Sequence, residues 1–112
     1  MKHVLRKIKD GKLNEWKSWC YYLVDNEVLA KETMKQENCT RERVVVFNRE
    51  NEWYVVGSSE HSGEIIEADL SKEINVTHRA KISECLSKTV AVFYGEFKLP
   101  PEHEVLYDFM IL

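Results

Sequence analysis

The amino-acid sequence predicts an α+β domain whose elements run β-α-β-β-α-β, and three observations carry that prediction. Apolar residues recur at three- and four-residue steps between Leu13 and Gln36, after a strand-like opening. Two β-branched and aromatic runs, Arg43–Phe47 and Trp53–Gly57, stand either side of one polar stretch. A second helical segment then leads into further strand-like residues.

Residues 3–9 (HVLRKIK) alternate charged and apolar side chains, as a half-exposed strand does, and the turn pair Asp10-Gly11 closes them. From Leu13 the period changes. Leu13, Trp16, Cys20, Leu23, Val24 and Val28 form an apolar stripe, while Lys12, Glu15, Lys17, Asp25, Lys31 and Lys35 lie mostly off it. Glu27–Gln36 contains neither Gly nor Pro. One unbroken helix of about six turns is expected over 13–36, at 3.6 residues per turn, with Asn38 as its exit.

Arg43–Phe47 and Trp53–Gly57 read as a hairpin, with Asn48–Glu52 between the strands. Ser58–Ser71 is polar apart from Ile65-Ile66 and reads as a loop with a short helical turn near Glu64–Leu70. A second helix is expected over about 75–88, where Val76, Ile82, Cys85 and Leu86 share a face. Thr89–Phe97 and Glu104–Leu112 both have strand character, and Pro100-Pro101 between them forces extended or turn backbone. Residues 104–111 are expected to be the fourth strand of a four-stranded antiparallel sheet.

Length and composition limit the function classes. The 112 residues make one domain, 1–112, and 44% apolar with 31% charged residues is a globular composition. The net charge of -3, with both signs interleaved, offers no electrostatic case for nucleic acid or an anionic membrane surface. No uncharged run exceeds seven residues, so no membrane-spanning helix of about 20 apolar residues is expected. Cys20, Cys39 and Cys85 are odd in number and widely spaced, which suits no disulfide framework. With no apolar leader in the first residues, a reducing, cytoplasmic location is expected.

Two-helix cover leaves one sheet face bare, and a bare face normally alternates to polar. If Phe47 pairs opposite Trp53, one face carries Val45, Phe47, Trp53 and Val55, and the other Val44, Val46, Tyr54 and Val56. The last run repeats the pattern, with Val105, Tyr107, Phe109 and Ile111 on one side and Leu106 and Met110 on the other. Both faces are apolar and both need cover. A second copy of the chain is the expected cover, so the expected partner is a homodimer.

A family resemblance rests on residues spread along the chain. The opening KIKDGKLNEWKSW, Glu32-Thr33-Met34 with Glu37, and the step Glu42–Phe47 carry it. His78 ahead of Lys81, Glu84 and Cys85, and Leu106-Tyr107-Asp108-Phe109, add to it. Together they resemble an uncharacterised bacterial family of roughly 100-residue proteins, of the dimeric α/β-barrel group with ferredoxin-like subunits. The likeness leaves out Lys88–His103. It implies the fold and the dimer, and no activity.

Site chemistry is sparse. No CxxC, HxH or HExxH occurs among His3, His61, His78, His103 and the three cysteines, so no metal is expected. Glycines at 11, 57, 63 and 95 build neither dinucleotide nor P-loop cradle, and no cofactor is expected. Cys20 within the apolar stripe and Cys85 beside Leu86 suit packed thiols better than nucleophiles. His78, in the polar stretch Asn75–Arg79, is the acid–base candidate, weighed against a histidine that only satisfies a helix end. Trp16 and Trp19 can wall a pocket, although aromatic residues on a helix stripe are more often core, the preferred reading of Trp16. His78, Trp16 and Tyr107 are the pocket-lining candidates, and Glu60–Glu64 is either a cover for a site or a solvated connection.

Two functions follow. The first is a non-catalytic homodimer that binds a small molecule. The alternative is a cofactor-free enzyme of oxygenase or isomerase type, acting on a small apolar or aromatic substrate between helices and sheet, by analogy with dimeric α/β barrels.

Overall fold

The computed structural model describes residues 1–112. Eight elements follow one another: β1 (Lys2–Ile8), α1 (Leu13–Asp25), α2 (Glu27–Gln36), β2 (Cys39–Arg49), β3 (Glu52–His61), α3 (Glu73–Cys85), β4 (Leu86–Tyr94) and β5 (Glu104–Met110). The strands form one antiparallel sheet in the order β4-β1-β3-β2-β5. The fold is therefore α+β, with five strands and three helices. No helix is long and apolar enough to cross a membrane.

Four features differ from the sequence-based expectation. The long helix breaks at Asn26, where φ is -118° and ψ 39°. The Asn26 backbone N–H donates to the Tyr22 and Leu23 carbonyls at 3.0 and 3.2 Å, and its side-chain amide donates to Tyr22 O at 2.9 Å. A short polar side chain that bonds its own preceding turn competes with helix propagation. The break lets α1 pack against α3 and β5 while α2 packs against β2.

The hairpin is tighter than its polar stretch suggests. Both strands run on to Arg49 and Glu52, and Glu50 and Asn51 make the turn at φ 55° and 64°, the left-handed pair of a two-residue I′ connection. Phe47 consequently pairs with Tyr54, not Trp53. The faces become Val45, Phe47, Tyr54 and Val56 on one side, and Val44, Val46, Val55 and Gly57 on the other. The connection after β3 holds no helical turn at Glu64–Leu70. Instead it is tied to the end of α2, through Ser62 N–H to Asn38 O at 2.9 Å and Asn38 Nδ2 to Glu64 O at 2.7 Å.

The fourth correction concerns the strands after α3. The helix gives way to strand at Leu86, and residues 86–94 take the place beside β1. Residues 104–110 form a fifth strand on the opposite edge, beside β2. The edges are four strand spacings apart, about 19 Å at about 4.8 Å each. Gly95–His103 joins them, and a chain of that length reaches about 30 Å when extended.

This strap crosses the face turned away from the helices. His3, Ser58, Arg43 and Phe93 lie on that face by register. The Phe97 ring stands 5.4 Å from His3 and 5.2 Å from Phe93. His3 bonds Gly95 O at 2.8 Å through Nε2 and the Ser58 hydroxyl at 2.6 Å through Nδ1. Gly95 N–H donates to Met1 O at 2.9 Å. Val45 and Val56, on the same face by register, have no exposed surface. On the other face Ile8, Val44, Val46 and Val55 form one core with Trp16, Cys20, Leu23, Met34 and Cys85 of the helices.

Replacing Phe97 by Ala removes the ring that anchors the strap. Fully buried Phe→Ala changes cost about 3–5 kcal/mol. The half-buried Phe97 should cost roughly 1–2 kcal/mol, read as a lower urea midpoint, while exposed Lys98→Ala should stay within about 0.5 kcal/mol. Equal midpoints for the two variants would remove the strap from the account of this face.

Candidate functional site

The inward face of the sheet is uneven. Register places Val4, Arg6 and Ile8 of β1 over Gly57 and Val55 of β3, and these over Val44 and Val46 of β2, with Glu42 opposite Ser59. Gly57 sits in the central strand among large neighbours, and a Cβ built there would meet no atom within 4 Å. Trp16 of α1 and His78 and Ile82 of α3 border the space beside Gly57. Two adjoining cavities of about 510 and 290 Å³ occupy the space between helices and sheet. They share Arg6, Glu37, Glu42, His78, Ile82 and Tyr107 in their walls.

Each element supplies a polar group. From α3, His78 takes a hydrogen bond on Nδ1 from Trp19 Nε1–H of α1 at 2.8 Å. A neutral imidazole that accepts at Nδ1 carries its proton on Nε2. Burial pushes the His78 pKa down, with a smaller opposing pull from Glu42. From β5, the Tyr107 hydroxyl donates to Glu42 Oε1 of β2 at 2.5 Å, and its ring stacks on Phe109 at 4.6 Å. Burial, then the Glu42 charge, raises the Tyr107 pKa well above the usual phenol value, so the phenol keeps its proton. Glu37, where α2 ends, is raised first by burial and then by Glu42.

Two features of these walls bear on what the cavities could hold. Trp16 is buried, and its Nε1–H has no partner, whereas buried polar groups are bonded in the large majority of cases. The charged residues that border the cavities, Arg6, Glu37 and Glu42 in both and Glu67 and Arg79 in the larger, enter none of the seven ion contacts of the chain. Arg6 has only a long bond of 3.3 Å to Ser87 O.

The three pocket-lining candidates read from the sequence, His78, Trp16 and Tyr107, all border the smaller cavity. His61, at the end of β3, also borders it, while Ser62–Glu64 do not. Arg6, Glu37, Glu42 and Gly57 were not anticipated. Arg6 and Glu42 did leave a signal: each is a charge set at an even step from apolar residues, Val4 and Ile8 or Val44 and Val46, on the core-facing side of its strand.

The thiols are poor nucleophiles here. Burial raises Cys20 strongly. Cys39 is pushed up to about 11 by burial and then Glu42, and Cys85 to about 11 by burial and then its bond to Glu15. No three His, Cys, Asp or Glu side chains converge closely enough to hold a metal ion.

Fold and site together define a small α+β domain with a polar-walled cavity between its helix layer and its sheet. The chain belongs to the family of unknown function DUF6176, whose model matches residues 1–106. That match fits the expectation of an uncharacterised family, and it runs through Lys88–His103, which the resemblance left out. No curated protein and no solved structure matches the chain.

The His78 environment predicts a pH dependence. Its folded pKa lies below the ordinary 6.5, so the unfolded chain binds the proton more readily, and stability falls as pH drops through and below about 6.5. Protonation also places a proton on Nδ1, facing Trp19 N–H. Glu37 acts oppositely: raised above 4.5, it contributes stability below that value and loses it as pH rises through the folded pKa. Thermal melts between about pH 7.5 and 5 should show the native chain losing more stability than His78→Gln. Parallel curves would contradict the assignment.

Proposed function

We propose that this chain is a small cytoplasmic protein that binds a small molecule in the cavity over Gly57. One observation carries the reading: the half-buried Arg6, Glu37 and Glu42 border both cavities, and none is in an ion contact with the protein. Partly desolvated charges without partners cost free energy, and a ligand of complementary charge offsets that cost. The volumes of about 510 and 290 Å³ match pockets that take small ligands, typically about 300–1,000 Å³. Buried free thiols agree with a reducing compartment.

Gly57 supplies the test. A Leu there would project into the open hollow, at a backbone that needs no positive φ, so Gly57→Leu should fold and block the cavity. In a thermal-shift screen of small metabolites, compounds that stabilise the native chain should fail to stabilise Gly57→Leu. Compounds that stabilise both equally bind elsewhere, and a screen without a Gly57-sensitive compound counts against the reading.

A second reading, the cofactor-free enzyme, draws on a narrower observation. Glu42, held at one oxygen by Tyr107, and neutral His78, with its Nε2–H, border the same cavity. A carboxylate base and an N–H donor are the groups that proton abstraction beside a carbonyl requires. Mass analysis of the bound compound after incubation separates turnover from binding.

The ferredoxin-like grouping and the homodimer belong to the same proposal. The strap leaves less surface for a second copy than a bare sheet would. What remains are the edges: Phe93 at 38% and Tyr94 at 75% exposure on β4, and Val105 at 47% and Met110 at 49% on β5. Light scattering at micromolar concentration should give twice 13.2 kDa; a constant 13.2 kDa on raising the concentration would exclude the dimer.

A further inference from the structure

Arg6 and Glu42 both belong to the helix-facing surface of the sheet. Arg6 lies level with Val55 and Val46, and Glu42 level with Ser59. They are thus two strands and four residues apart, with Cα atoms separated by about 16 Å from standard strand spacings. Side chains of their length, directed toward one cavity, approach each other without meeting, in keeping with the absence of an ion pair between them. The cavity therefore holds a cationic pole and an anionic pole with a gap between.

Both poles retain binding capacity. The Arg6 guanidinium uses one N–H on Ser87 O, leaving donors in the fork geometry that matches a carboxylate. The Glu42 carboxylate spends Oε1 on Tyr107 and keeps Oε2, with Glu37 in the same wall. His78 adds no positive charge while its imidazole is neutral. Met34, Ile74, Ile82 and Phe109 supply the apolar part of the larger cavity's wall, where Arg79 and Glu67 add a further charge of each sign. The buried Trp16 Nε1–H, without a partner, adds one more donor to the smaller cavity's surroundings.

We infer that the ligand is a small amino carboxylate zwitterion with an apolar body, its carboxylate on Arg6 and its ammonium on Glu42 with Glu37. The inference rests on the binding role proposed above. One such molecule meets Arg6 and Glu42 together, charges that border both cavities, whereas a neutral apolar ligand would bury them further and a ligand of one sign would leave the other pole bare.

Calorimetric titration with matched compounds tests it. L-phenylalanine and L-leucine carry both groups. Phenethylamine and 3-methylbutylamine lack the carboxylate, and 3-phenylpropanoate and 4-methylpentanoate lack the ammonium. At least one amino acid should bind the native chain at least tenfold more tightly than its two truncated relatives. Arg6→Met should abolish its advantage over the amine, and Glu42→Gln, which keeps an oxygen for Tyr107, its advantage over the acid. Circular dichroism confirms that each variant is folded, and Arg6→Lys, retaining charge without the fork, should fall between native and Arg6→Met. A truncated relative that binds as tightly as its amino acid, and is lost in Gly57→Leu, overturns the zwitterion while leaving the cavity's role intact. Failure of all six compounds also overturns it, and the binding role falls as well only if the wider screen yields no Gly57-sensitive compound.

Discussion

Neither face of this sheet can stand in water, and the architecture follows from that constraint. Val44, Val46 and Val55 point one way, Val45 and Val56 the other, and all are buried. Fully burying a side chain of this size contributes roughly 1.5–3 kcal/mol each, against a domain stability of about 5–15 kcal/mol. Two covers are therefore needed. The helices form one and the strap the other. The strap is possible only because β4 and β5 lie on opposite edges, so the chain has to cross the sheet to connect them.

The helix cover is supported at particular points rather than closed everywhere. Trp19 of α1 bonds His78 of α3 at 2.8 Å, and Tyr107 of β5 bonds Glu42 of β2 at 2.5 Å. The first bond joins two helices and the second joins two strands, on either side of the hollow over Gly57. A lone Gly weakens a strand, since it has no side chain to pack and loses more freedom on folding. At a central position with open space above it, that cost is incurred where a single larger residue would fill the interior. The same hollow is bordered by Arg6 and Glu42, so the missing side chain and the unpaired charges are features of one place.

Legibility in the sequence divided along physical lines. Wherever one period governed a stretch, as in β1, the apolar stripe from Leu13 and the two β-branched runs, the element was legible. Asn26 was not, because an isolated Asn is tolerated in helices and only its bond back to Tyr22 O shows that it ends one here. The hairpin register was hidden by polar residues on both sides of the turn, and Glu50 is an unusual residue for positive φ. The aromatic and imidazole members of the site were legible because Trp16, His78 and Tyr107 are conspicuous residue types. Arg6, Glu42 and Gly57 were not, since their place depends on register across three strands, and a charge in an alternating strand ordinarily faces solvent.

The strap also changes the weight of the argument for assembly. Two apolar faces require two covers, and this sheet has both. What did not follow was that the second cover had to be another molecule. Gly95–His103 contains Phe97, Leu99 and Pro100, all half-buried, so an apolar stretch of the chain itself crosses the face that carries Val45 and Val56. A linker of that length costs little more entropy to close than a shorter one, because closure entropy grows only logarithmically with loop length. Intrachain cover also needs no second partner and so does not depend on concentration. A dimer, where one forms, has therefore to draw its stability from the strand edges or the helix surface, and the polar-walled cavity lies inside each subunit whether or not a second copy is present.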